Sequence, residues 1–114
     1  MKFSYSQPGP SRKQAPKSWE VWLADAPFGE GGKIRRCPVA VGKRNPSGFE
    51  VFCITPAWEG GARGVPVSDH IAAGQDRPCI VRTEPATVQL SAFIHKMGRI
   101  PEPDAAKIIA QSKR

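Results

Sequence analysis

Residues 19–56 read WEVWLADAPFGEGGKIRRCPVAVGKRNPSGFEVFCITP, and the fold is decided there. Trp19 to Leu23 alternates large apolar with polar side chains, the period-2 pattern of a strand with one wet face. Arg36 to Gly42 and Phe49 to Ile54 are two further apolar runs joined by Asn45-Pro46-Ser47-Gly48, four residues suited to a tight turn. A hairpin follows. With Arg44 opposite Phe49, Val39 faces Ile54 and Val41 faces Phe52, which collects the bulky groups on one side. Arg36, Pro38, Ala40, Cys53 and Thr55 then share the other side, with Arg36 and Thr55 as diagonal neighbours at the open end. The same register sets Cys37 opposite Pro56 and argues against a Cys37–Cys53 disulfide. Between the first two strands, Gly29-Glu30-Gly31-Gly32-Lys33 is a flexible loop leading into Lys33, Arg35 and Arg36. Such a loop can adapt to a phosphodiester and offset its charge.

Outward from this core the signals weaken. Residues 56–77 are rich in Gly, Ala and Pro and read as loop, with a turn near Asp69–Ala73. Pro78 to Thr83 is a short strand and Ala86 to Val88 another. Leu90, Phe93, Ile94 and Met97 recur at i, i+3, i+4 and i+7, which predicts a short helix capped by Gly98. Asp104 to about Gln111 predicts a second helix, with Pro103 in its first turn and Asp104 complementing its N-terminal partial charge. The expected architecture is mainly β: five or six curved antiparallel strands, short helices, and a helix at the end.

At 114 residues the chain holds one domain. Residues 1–17 are expected to form a disordered basic arm, with residues 18–114 as the folded domain. Lys2, Arg12, Lys13 and Lys17 lie in the first eighteen residues without an acid, so they supply much of the net charge of +7. The folded part is therefore only mildly basic. No stretch approaches the roughly 20 apolar residues of a membrane span, and no secretion signal opens the chain, so a cytoplasmic protein is expected. Cys37, Cys53 and Cys79 are odd in number and contain no CxxC pair, which disfavours a zinc site and suits small buried residues. No metal and no cofactor are expected.

Five segments, in order, resemble the PemK/MazF family of toxins from toxin–antitoxin modules. Val21-Trp22-Leu23-Ala24-Asp25 is similar to that family's first strand, and Gly32 to Val41 to its Gly-Lys loop and second strand. Phe52-Cys53-Ile54-Thr55 is similar to a third strand ending in Thr. Gly74 to Arg82 and Phe93 to Asp104 are similar to the downstream pattern. The resemblance runs from about Trp19 to Gln111. It implies a small SH3-like barrel of the CcdB/PemK/MazF kind, usually homodimeric. It also implies a metal-independent endoribonuclease that cleaves single-stranded RNA through attack by the 2′-hydroxyl, and a cognate antitoxin protein as partner.

Carried over, the family's Arg and Thr fall on Arg36 and Thr55 as catalytic residues, with Lys33 and Arg35 guiding the RNA backbone. Arginine's planar fork suits phosphate oxygens, whereas its high pKa makes it a poor base. Three positions depart from the family pattern. Cys37 separates Arg36 from Pro38, which makes Arg35 a second candidate for the catalytic arginine. Pro56 removes a backbone donor after Thr55, and Cys79 stands where Ser is usual. A degenerate member that binds RNA or protein without cleavage, and a CcdB-like inhibitor of a topoisomerase, are the alternatives. Trp58 is expected to cap the edge of the core, Trp19 and Trp22 to pack in the core or a dimer interface, and His70 beside Asp69 is a lesser proton donor candidate.

Overall fold

The computed structural model describes residues 15–59 and 64–113. Most of the expected basic arm, residues 1–14, lies outside them. Ala15 and Pro16 already belong to the packed chain: Pro16 is buried and Ala15 lies against one of the two cores.

The described chain forms seven antiparallel strands and one helix. In order these are β1 (Glu20–Ala26), β2 (Arg35–Asn45), β3 (Gly48–Pro56), β4 (Val65–Pro66), β5 (Cys79–Val81), β6 (Ala86–Val88), β7 (Phe93–Arg99) and α1 (Glu102–Ser112). Their spatial order is β4-β5-β3-β2-β1-β7, with β6 also on β3. The outer strands β4 and β7 do not pair, so the sheet does not close on itself. It curls strongly nonetheless. Phe49 of β3 and Phe93 of β7 are separated by two strands in the sheet, yet their rings meet edge to face at 5.3 Å. Trp22 meets Phe93 in the same way at 5.8 Å.

Both faces of the central strands are buried, because β2 and β3 are apolar on both sides. Ala40, Phe52, Ile54 and Val21 face a core closed by Ala105 and Ile108 of α1. Cys37, Val39, Val41, Val51 and Cys53 face a second core, which is completed by Trp22, Val88 and Phe93. Trp19, at a φ of 67°, stacks on Phe52 with ring centroids 6.1 Å apart. Trp19 and Trp22 are thus core residues.

The hairpin register departs from the sequence expectation. Arg44↔Phe49 and Asn45↔Gly48 pair as expected, but an irregularity between Val41 and Arg44 shifts the rest by one residue. Val39 pairs with Cys53, Ala40 with Phe52 and Val41 with Val51. Val39 and Val41 are therefore on a different face from Phe52 and Ile54. Cys37 is no longer level with Pro56: two residues beyond Val39, it lies on the same face as Cys53, one step along the strand.

The second correction concerns residues 90–97. Only Leu90–Ala92 makes a single 3-10 turn, and Phe93–Arg99 is a strand paired to β1. The free edge of β1 needs backbone partners, and this outweighs a short helical spacing of apolar residues. Gly98 caps nothing. It lies under the turn at Ala72–Gly74, where a Cβ would run into the Ala72 carbonyl oxygen and the Gly74 nitrogen.

The terminal helix starts as expected, with Pro103 in its first turn. Asp104 accepts hydrogen bonds from the Ser68 backbone N–H at 2.7 Å and from its hydroxyl at 2.9 Å, which ties α1 to the segment after β4. Ile108 is fully buried, but Ile109 is 42% exposed and packs only in part. No helix among the described residues is long and apolar enough to cross a membrane.

Candidate nucleic-acid interface

The start of β2 and the end of β3 lie together at one end of the sheet. There β1 borders β2, with Asp25 opposite Arg36 and Ala26 opposite Arg35. On the far side β5 borders β3, with Thr55 opposite Ile80 and Pro56 opposite Cys79. Two clefts open at this end and share Arg35, Cys53 and Thr55. The first, of about 190 Å³, is also lined by Arg36, Cys37 and Arg77. The second, of about 340 Å³, is also lined by Gly29, Arg82 and Glu84.

Thr55 is the centre of this region. Only 8% of it is exposed, and its buried hydroxyl oxygen has no hydrogen-bond partner among the described residues. Such orphans are rare in folded proteins, because a hydroxyl removed from water without replacement costs free energy. A ligand oxygen reaching into the clefts would satisfy it.

The two adjacent arginines have different surroundings. Side chains alternate along β2, so Arg35 shares the face of Cys37 and Val39, which is the face of Cys53 and Thr55 on β3. Arg36 leaves from the opposite face and is held by Asp25, with Nε and Nη2 donating to the two carboxylate oxygens at 2.9 and 3.2 Å. That fork holds the Asp25 carboxyl below its usual range and raises the guanidinium pKa. Arg36 and Thr55 both line the smaller cleft, but they are not neighbours on one face as the expected register had them. Arg35 is the arginine on Thr55's side.

Lys33 is exposed on the loop before β2, where its carbonyl accepts the Gly29 N–H at 2.8 Å. The tight turn between them is made at Gly31 and Gly32, whose φ values of 69° and 82° favour glycine. Lys33 lines neither cleft, although Gly29 does.

Three cleft residues escape sequence reading. Arg77, Arg82 and Glu84 flank β5, far along the chain from the hairpin; Arg77 and Arg82 fall within the Gly74–Arg82 pattern, but nothing in it marks them as cleft residues. Trp58 does not cap the core: it is 67% exposed, and the Arg77 guanidinium carbon lies 5.3 Å from its ring centroid. His70 is outside both clefts, with Nδ1 3.0 Å from the Gln75 carbonyl oxygen.

The cysteines are all free and buried. The Cys53 thiol is lowered in pKa by a hydrogen bond from Cys37; burial opposes this, and Arg35 and Arg82 reinforce it. Cys37 is pushed up as the donor of that bond and by burial. Cys79 is pushed up to about 11, chiefly by burial. Among the described residues, no three His, Cys, Asp or Glu side chains are grouped as a metal ion would need.

Compared with known proteins, the sequence matches no protein-family model and no curated protein.

Proposed function

We propose that the chain is an endoribonuclease toxin of the PemK/MazF kind, built on an opened version of the SH3-like barrel and cutting single-stranded RNA. The observation that carries this reading is the buried, unpartnered Thr55 hydroxyl in a cleft that also presents Arg35 and Arg82. Two guanidinium forks and a hydroxyl donor suit a phosphodiester, whose oxygens accept on every side.

The strand of RNA lies across the open ends of β2 and β3. Arg35 and Arg82 hold the phosphate, and the Thr55 hydroxyl donates to a non-bridging oxygen, where negative charge grows in the transition state. Held in line, the 2′-oxygen attacks phosphorus as the bond to the 5′-oxygen breaks. The products are a 2′,3′-cyclic phosphate and a 5′-hydroxyl. Glu84 or Glu59, the carboxylates that line the larger cleft, takes the 2′-proton in this reading, and the leaving oxygen takes one from solvent. Trp58 and Arg77 at the rim offer an exposed ring on which a flanking base can stack. A cognate antitoxin would cover the same cations with an acidic segment, and a homodimer is the expected assembly.

The test is incubation of the protein with long single-stranded RNA in EDTA. Fragments ending in cyclic phosphate are expected. Arg35→Ala and Thr55→Val should each lower the rate by about 10²–10³-fold, the usual loss for one transition-state donor. Arg36→Ala should cost far less, because Asp25 already engages that side chain. Full activity in Arg35→Ala would overturn the assignment of Arg35. Intact but bound RNA would favour a binding module, a reading for which Pro56 speaks because it offers the cleft no N–H. If RNA is neither cut nor bound and expression still arrests growth, inhibition of a protein such as a topoisomerase takes its place.

A further inference from the structure

The shared floor of the two clefts holds more than a hydroxyl. Cys37 and Cys53 face the same side of the β2–β3 pair, one step apart across the strands, with 4% and 7% of their surfaces exposed. Both line the smaller cleft, and Cys53 lines the larger one as well. Arg35 and Arg82 line the larger cleft together with Cys53, and their charge favours its thiolate. A thiol that shares a cleft with guanidinium groups, with a second thiol on the same face, has the surroundings of a reactive cysteine and its resolving partner. Cys79 serves as an internal control. It is equally free and also borders the smaller cleft, but it leaves β5 on the other face, in the core with Ala105 and Ile108 of α1, and burial and Asp104 act against its thiolate.

We propose that Cys37 and Cys53 form a peroxide-reactive dithiol site at the floor of the cleft, with Cys53 the attacking thiol and Cys37 the resolving one. The Cys53 thiolate attacks the terminal oxygen of a hydroperoxide, the O–O bond breaks, and the alkoxide or hydroxide leaves. Cys53 is then a sulfenic acid. The Cys37 sulfur displaces that hydroxyl as water, which takes up the Cys37 proton, and a disulfide remains. The hydroperoxide accepts both electrons, so the step balances. Diagonal positions on paired strands lie beyond the usual span of a disulfide, so closure has to pull β2 and β3 together beneath Thr55. A bridge formed under such tension is readily reduced again by small thiols. This inference is independent of the RNA reading.

The test uses the reduced full-length chain. With iodoacetamide at neutral pH, Cys53 should label several-fold faster than Cys79 in the native protein, because Arg35 and Arg82 share its cleft and favour its thiolate whereas burial holds the Cys79 thiol protonated. The difference should vanish in guanidinium chloride. After brief hydrogen peroxide and blocking, peptide mass spectrometry should find Cys37 linked to Cys53, two hydrogens lighter than the free pair, with Cys79 alkylated. Dithiothreitol should reverse the link, and in Cys37→Ser the Cys53 sulfenic acid should persist and be trapped by dimedone. Cys53 labelling no faster than Cys79, a link to Cys79, or oxidation of wild-type Cys53 without a link would each overturn the proposal. A protein that forms the link but leaves RNA intact would retain this site and lose only the nuclease reading.

Discussion

At Thr55 a hydroxyl is enclosed by protein and has no partner among the described residues, a penalty of about 1–3 kcal/mol for a buried polar group. Replacing it with the isosteric methyl of valine removes that penalty and keeps the strand propensity. Thr55→Val should therefore hold or raise the unfolding midpoint in urea while RNA cleavage falls, a divergence that an ordinary structural threonine would not show. A loss of stability above about 1 kcal/mol would mean that the hydroxyl has a partner after all. Glu20 presents the opposite case. Burial works to raise its pKa, but hydrogen bonds from the Lys17 N–H, the Trp22 indole and Lys96 outweigh it, and the net shift is down. The Trp22 Nε1 donates at 2.9 Å and Lys96 Nζ lies at 3.1 Å. A lowered folded-state pKa means that this stability is present above the ordinary value of 4.5 and is lost as pH falls below it. Glu20→Gln should cost about 1–3 kcal/mol at neutral pH. It should also flatten the loss of stability between pH 5 and 3, as followed by Trp fluorescence during denaturation.

At the level of elements, Gly98 separates the two readings of residues 90–99. As a helix cap it would tolerate asparagine, which accepts left-handed backbone almost as glycine does. As a strand residue beneath the Ala72–Gly74 turn it has no room for any Cβ. Gly98→Asn should thus destabilise by about 1–3 kcal/mol, as overpacking does, and Gly98→Ala by a similar amount. A neutral Gly98→Asn in thermal melts would argue for the helix. The first three strands were legible because Trp19–Leu23 alternates and Asn45–Gly48 marks a turn. Their register was not, because Val39-Ala40-Val41 and Val51-Phe52-Cys53-Ile54 are apolar on both faces and no polar face breaks the tie. The shift between Val41 and Arg44 then moved every later pair by one. In the site, an arginine and Thr55 were legible as phosphate chemistry, but the choice between Arg35 and Arg36 depended on that shift. Arg82 and Glu84 reach the cleft only through the pairing of β5 with β3, which leaves no trace in local sequence.

For the molecule as a whole, the net charge of +7 overstates what the clefts can use. Arg36 is paired with Asp25, and Lys96 with Glu20, so neither offers its full charge to a ligand. Arg35 and Arg82 remain on the cleft walls, together with Arg77, whose ion pair with the exposed Asp76 is loose at 4.0 Å. For single strands, each phosphate neutralised contributes about −0.7 to the slope of log affinity against log salt, so three arginines give a slope near −2. Binding of a non-cleavable 2′-O-methyl RNA, measured by fluorescence anisotropy over a salt series, should show this. Arg82→Ala and Arg35→Ala should each make the slope shallower by about 0.7. Arg36→Ala should leave it nearly unchanged. Asp25→Asn should have the reverse effect, because it releases a guanidinium at the rim of the smaller cleft and steepens the slope by up to about 0.7. Equal slopes for Arg35→Ala and Arg36→Ala would mean that the strand passes over both faces of β2, and that the ion pair with Asp25 gives way when RNA arrives.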